Sequence, residues 1–123
     1  MNMRVLYVDD EPDLREVAVM SLELDPDLEV RACGSGAEAL VLLESWEPDL
    51  ILLDLMMPQM DGPSTHRAIV ERFGDRFPIV YFTARAEEKE KERLIGLGAL
   101  GVIAKPFDPM NLASQVRAHV ERA

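Results

Sequence analysis

One cysteine stands in the whole chain, Cys33, so no internal disulfide and no cysteine-based zinc site can form. At the end of a strand-like stretch it reads as a small core hydrophobe. Basic residues are scarce too: 13 Lys and Arg against 23 Asp and Glu leave a net charge of −10. Nucleic-acid-binding domains leave a basic footprint, so direct DNA or RNA contact is disfavoured. The acidity favours metal ions and basic protein surfaces as partners instead. Long apolar runs are missing as well. Nothing approaches the ~18 residues of a membrane span, and the opening MNMRVLYVDD lacks a signal peptide's apolar region and cleavage site. A cytoplasmic protein with no membrane partner is expected. The two histidines, His66 and His119, lack metal-ligand spacing and are expected at the surface or an edge. There is no internal repeat, low-complexity tract or linker. What is present is globular, with 48% hydrophobic and 29% charged residues in 123. One domain over residues 1–123, carrying no effector or DNA-binding domain, is the expectation.

The stretch DLILLDLMMPQMDG, residues 49–62, organises the rest. Leu50-Ile51-Leu52-Leu53 is a short apolar run ending on the carboxylate of Asp54. Such a run suits a strand buried on both faces, although periodicity alone also admits a helix. Pro58 and Asp61-Gly62 then demand a turn. Before it, MRVLYV (3–8) is a strand meeting Asp9-Asp10-Glu11, and Pro12 suits the first turn of a helix. That helix carries Leu14, Val17, Ala18, Met20 and Leu24 as its apolar face and stops at Asp25-Pro26-Asp27. LEVRAC (28–33) alternates like a strand, and Ser35 is an N-cap for a helix over Ala37–Ser45. Trp46, near that helix's end, reads as half-buried. Beyond the central strand, Pro63–Phe73 is helical, PIVYFT (78–83) is a strand, and Glu87–Gly96 is a mostly charged, lightly anchored helix. LGVIA (100–104) is the fifth strand. Asp108-Pro109 starts a last helix burying Leu112, Val116 and Val120. Five strands alternating with five helices predict an α/β fold, a doubly wound parallel sheet.

The chemistry-bearing residues all follow strands: Asp9 and Asp10, Asp54, Thr83, and Lys105. In a parallel sheet these positions share the carboxyl-end rim, where open α/β folds bind ligands. Taken singly each has an ordinary use. Asp9-Asp10-Glu11 suits a helix N-terminus, Asp54 a turn, Thr83 an N-cap, and Lys105 the surface. Together, three carboxylates repel one another unless a cation lies between them, and a hard, oxygen-seeking ion such as Mg²⁺, with Mn²⁺ as a substitute, fits. Asp54 is then a candidate nucleophile for a phosphoryl group, with Lys105 neutralising charge and Thr83 donating to a phosphoryl oxygen.

These residues carry a resemblance to the receiver domains of bacterial two-component response regulators. The matching positions are Asp9-Asp10, Asp54 in LLDLMMPQMDG, Thr83-Ala84 and Lys105-Pro106-Phe107, over residues 3 to about 120. The resemblance implies a flavodoxin-like five-stranded sheet in the order 2-1-3-4-5. It implies a phosphorylation switch in which Asp54 accepts a phosphoryl group from a phosphohistidine. The donor would be a sensor histidine kinase or a histidine phosphotransfer protein, and the output would pass to a downstream protein. It further implies Mg²⁺ held by Asp10, Asp54 and the backbone carbonyl of Met56, with Asp9 acting mainly through water. Lys105 would pair with Asp54 through a cis Lys105–Pro106 bond. The chain would be a phosphoacceptor catalysing only its own modification, not an enzyme acting on a separate substrate.

Two stretches depart from the family pattern, and a third bears on phosphoryl lifetime. Val102 stands where an aromatic residue is common, which removes an aromatic toggle. Ala99-Leu100-Gly101 lacks the acidic residues of regulators that dimerise through the last two helices. Met56, which with Arg85 sits where the family tunes dephosphorylation, is large and apolar and should shield the phosphoryl group from water. Met56, Met57 and Met60 read as loop packing. Two rivals fit less well: a haloacid-dehalogenase-type phosphatase needs a second Asp where Met56 stands, and an FMN-binding flavodoxin would set its phosphate against Asp9-Asp10-Glu11.

Overall fold

A computed structural model describes residues 2–84 and 86–121. Five parallel strands alternate with five helices. These are β1 (Met3–Val8), α1 (Pro12–Leu22), β2 (Leu28–Cys33), α2 (Gly36–Leu42), β3 (Leu50–Asp54), α3 (Gly62–Phe73), β4 (Ile79–Thr83), α4 (Glu88–Gly96), β5 (Gly101–Ala104) and α5 (Leu112–Glu121). The sheet order is β2-β1-β3-β4-β5, with every pairing parallel. The doubly wound sheet expected from the alternation is observed, in the flavodoxin-like order that the resemblance implies.

Residue period two sorts the strands onto two cores. Leu6, Val8, Ile51, Leu53, Ile79 and Tyr81 pack under α2, α3 and α4 through Ala39, Leu43, Ile69 and Leu94. Val5, Tyr7, Leu50, Leu52, Val80, Phe82 and Ile103 pack under α1 and α5 through Ala18, Leu22, Leu112 and Val116. β3 is buried along its full length, which explains its uninterrupted apolar run. The order reverses direction beside β1, so β1 and β3 form the crevice-bearing centre.

Local signals account for most element ends. Pro12 opens α1, the Ser35 hydroxyl accepts from the Glu38 amide at 3.1 Å, and the Asp61 carboxylate accepts from the Ser64 amide at 2.9 Å. Asp61-Gly62 is thus a cap and first helical residue rather than a free turn. At α5 the Asp108 carboxylate accepts from the Met110 amide at 2.9 Å and closes a separate turn, so the helix begins at Leu112 and not at Pro109.

Four readings need correction. On α1 the buried face is Ala18, Ser21 and Leu22 with Leu14 half-buried, whereas Val17, Met20 and Leu24 are exposed. Two stripes of similar spacing competed, and the one containing a serine won. The Ser21 hydroxyl donates to the Val17 carbonyl at 2.8 Å, so its burial leaves no unmet donor. Trp46 is buried rather than half-buried. Its indole N–H donates to Glu29 at 3.3 Å, and Arg4 and Arg31 stack over its ring. His66 is buried, not a surface residue, and its Nδ1 lies 2.9 Å from the Tyr81 hydroxyl. Among the three loop methionines only Met57 is buried; Met56 is exposed.

Candidate functional site: a carboxylate cluster at the strand ends

The pleat decides which side chains meet. Asp9 follows Val5 and Tyr7 on β1, Asp54 follows Leu50 and Leu52 on β3, and Lys105 follows Ile103 on β5. All three therefore lie on the α1/α5 side of the sheet. Thr83 follows Ile79 and Tyr81, whose side chains belong to the α2–α4 side. The rim thus brings Asp9, Asp10, Asp54 and Lys105 together. Thr83, buried at the end of β4, joins from the other face, and its carbonyl accepts from the Lys105 amide at 2.8 Å.

Ligand-type oxygens of Asp9, Asp10 and Asp54 lie within 4.8 Å of one another. Asp9 is fully buried and is held by two donors, the Tyr7 hydroxyl at 2.8 Å and the Glu11 amide at 3.0 Å. Lys105 Nζ is 3.1 Å from Asp54 Oδ1 and 3.9 Å from Asp9 Oδ2, so one ammonium serves two buried carboxylates. The Met56 amide donates to Asp54 Oδ1 at 3.4 Å. Asp54 Oδ2 is buried and, among the described residues, has no hydrogen-bond partner. Burial pushes the Asp54 carboxyl up to about 6; the Lys105 hydrogen bond opposes this and the Asp9 charge adds to it. The Tyr7 hydroxyl is likewise pushed well up by burial and by its bond to Asp9. A buried orphan oxygen beside two further carboxylates is a set that calls for a hard cation. The chemistry of these residues fits a divalent ion.

The supporting residues were not visible as site residues in the sequence. Tyr7 was legible in principle, since i and i+2 share a face of a strand. Phe82 carries Lys105 Nζ 5.1 Å from its ring centre and packs against Tyr7 and Phe107. Gly62 admits the turn behind Asp54: a Cβ there would stand 2.8 Å from the Asp54 carbonyl and 2.9 Å from the Leu55 Cα. The Lys105–Pro106 bond is cis, and Val102 is half-buried beside a cavity of about 340 Å³ lined also by Lys91, Gln115 and His119. Arg85 lies outside the described residues.

The response regulator receiver domain model matches residues 5–117. The DNA-binding response regulator MtrA of Mycolicibacterium smegmatis is 35% identical over 122 residues, 99% of this chain and 52% of its own length. The alkaline phosphatase synthesis transcriptional regulatory protein PhoP of Bacillus subtilis is 35% identical over 123 residues, covering 100% of this chain and 50% of its own. The chain therefore spans about half the length of these curated relatives. Among solved structures, the chemotaxis response regulator CheY4 of Vibrio cholerae superposes with a TM-score of 0.83 at 28% identity, covering 97% of this chain and 99% of that one. The receiver domain of the Francisella response regulator 1452 gives 0.86 at 25% identity, covering 98% of each.

Proposed function

Because this chain belongs to the response regulator receiver family, we propose that it is a phosphorylation switch whose phosphoacceptor is Asp54. The observation that carries the reading is the contact of Lys105 Nζ with Asp54 inside a three-carboxylate cluster. A family member needs a nucleophile, a fixed cation and a divalent ion at one rim, and the juxtaposition of Asp9, Asp10, Asp54 and Lys105 supports assigning those roles to them.

In this reading Asp10 and Asp54, with the Met56 carbonyl, hold Mg²⁺, and Asp9 contributes through water. When bound, the ion supplies positive charge to the transferring phosphoryl oxygens. A carboxylate oxygen of Asp54 attacks phosphorus, the phosphorus–nitrogen bond of a phosphohistidine breaks, and the electron pair stays on the departing imidazole. Lys105, held over Phe82 and already within reach of Asp54, balances the growing negative charge without having to move far. Thr83 donates to a phosphoryl oxygen and draws the following loop with it. The donor is a sensor histidine kinase or a histidine phosphotransfer protein in the cytoplasm. The output goes to a protein surface, since a net charge of −10 opposes direct contact with nucleic acid. The relative named as DNA-binding, MtrA, is about twice this length, so its DNA binding is not carried over to this chain. The activity is self-modification and its reversal, with no separate substrate turned over.

The test is Mg²⁺-dependent phosphorylation by acetyl phosphate, read by intact mass beside Asp54→Asn. One phosphoryl adduct, abolished by EDTA and by the substitution, is expected. An adduct that survives Asp54→Asn, or none at saturating Mg²⁺, overturns the reading.

A further inference from the structure

Of the three clustered acids, Asp10 is the least secured. Asp9 has two donors on its carboxylate and Asp54 has Lys105, but among the described residues nothing hydrogen-bonds the Asp10 carboxylate. Its direction must follow its backbone. The peptide linking Asp9 to Asp10 is planar, so whatever fixes the Asp9 carbonyl also fixes the nitrogen and Cα of Asp10. That carbonyl accepts a hydrogen bond from Arg15 Nη1 at 2.8 Å. The guanidinium reaches it from the first turn of α1 and is itself half-buried.

A second, independent feature lies behind the guanidinium. The Asp9 amide donates to the Cys33 carbonyl at 3.1 Å, which brings the end of β2 alongside and sets Gly34 against Arg15. A Cβ at Gly34 would stand 3.0 Å from Arg15 Nη1 and 3.6 Å from its Cζ. The missing side chain of Gly34 thus leaves the guanidinium its room, and any Cβ there would press on its tip. We propose that Arg15 is a positioning residue for the acidic cluster: seated against Gly34, it holds the Asp9–Asp10 peptide and through it aims Asp10 at the metal. The inference rests on the reading of Asp10 as a metal ligand.

Magnesium binding to the metal-free protein by calorimetry tests it, together with the magnesium dependence of acetyl-phosphate labelling. Arg15→Met should weaken magnesium affinity by about tenfold, the lower end of what outer-shell partners of metal sites typically contribute. The magnesium concentration for half-maximal labelling should rise while the rate at saturating magnesium holds. Gly34→Ala asks only a flexible side-chain tip to move, so the fold should survive it. It should lower affinity in the wild-type background and change nothing further in Arg15→Met, a coupling that independent structural damage would not produce. Equal loss from Gly34→Ala in both backgrounds, or a fall in melting temperature with unchanged magnesium affinity, overturns the inference. If Arg15→Met does not fold, unchanged affinity in Gly34→Ala alone overturns it. Wild-type protein that binds no magnesium overturns the functional reading and this inference together. Wild-type binding with unaffected variants overturns the inference alone.

Discussion

Replacing Asp54 by Asn should stabilise the metal-free protein. The wild-type site confines two buried carboxylates with one ammonium, and Asp54 Oδ2 lacks a partner among the described residues. A carboxyl raised from 3.8 to about 6 disfavours the ionised native state by up to about 3 kcal/mol, at about 1.4 kcal/mol per pH unit. Asn keeps the shape and removes the charge but costs Lys105 an anionic partner, so a net gain of about 1–3 kcal/mol at neutral pH is expected. The pH dependence follows from the direction of the shift. Native Asp54 keeps its proton up to about 6, while the unfolded chain releases it near 3.8. The stabilisation this group provides is therefore full below about pH 4 and is lost as pH rises through 6. Wild type and Asp54→Asn should have similar unfolding free energies near pH 4, diverge between about 4 and 6, and keep a constant difference above 6. Urea titrations in EDTA, followed by circular dichroism across that range, measure the difference. Magnesium should then recover the wild-type deficit, by about 2.7 kcal/mol at a hundredfold excess over the dissociation constant, and should help the variant less. A variant no more stable than wild type at neutral pH, or a difference independent of pH, would refute the reasoning.

Gly62→Ala forces a Cβ to within 2.8 Å of the Asp54 carbonyl. Backbone cannot yield as a side-chain tip can, so urea denaturation should show a loss of about 1–3 kcal/mol, and an unchanged midpoint would contradict the close approach. Trp46→Ala should cost about 3–5 kcal/mol by the same measurement, because the ring is buried and capped by Arg4 and Arg31; a loss below about 1 kcal/mol would return Trp46 to the half-buried class. Met56 is exposed beside Asp54, so Met56→Asn should shorten the phosphoryl lifetime several-fold, followed by intact mass after the donor is removed. An unchanged lifetime, or wild-type loss within seconds, would discard the shielding role.

The fold and the rim were legible because each depended on local information. A buried apolar run, turn residues after each strand, and acids placed at strand ends are read along the chain without knowing neighbours. Misreadings occurred where the deciding partner was distant. Trp46 is enclosed by residues of β1 and β2, and His66 is drawn inward by Tyr81, 15 positions away. On α1, spacing alone could not choose between two stripes, since the buried one carries Ser21 and the exposed one Val17, Met20 and Leu24. At the site, the ionisable residues announced themselves by type. Their supports did not: Phe82 looks like any core aromatic, and Gly34 and Gly62 look like turn glycines until a Cβ is set against their neighbours.

The division of the rim between two faces bears on how a switch here would act. Asp9, Asp54 and Lys105 lie on the α1/α5 side and are tied by Tyr7 and Phe82 into a dense core. Little can shift there without disturbing close packing. Thr83 stands on the opposite side, over the layer that contains α4, yet its carbonyl is bonded to the Lys105 amide. That bond ties the ends of β4 and β5 together at the rim. α4 buries only Leu94 among its described residues, and Glu87 at its start makes no side-chain cap. A phosphoryl group provides a few charge-assisted hydrogen bonds, and that limited free energy can reorganise only an element held weakly to begin with. On the proposed reading, chemistry on the rigid face is therefore expressed on the loosely held one. The departure at Val102 fits this division, because the cavity beside it lies between α4's Lys91 and α5's Gln115 and His119. A shift of α4 alters that cavity directly and does not require an aromatic ring to move inward.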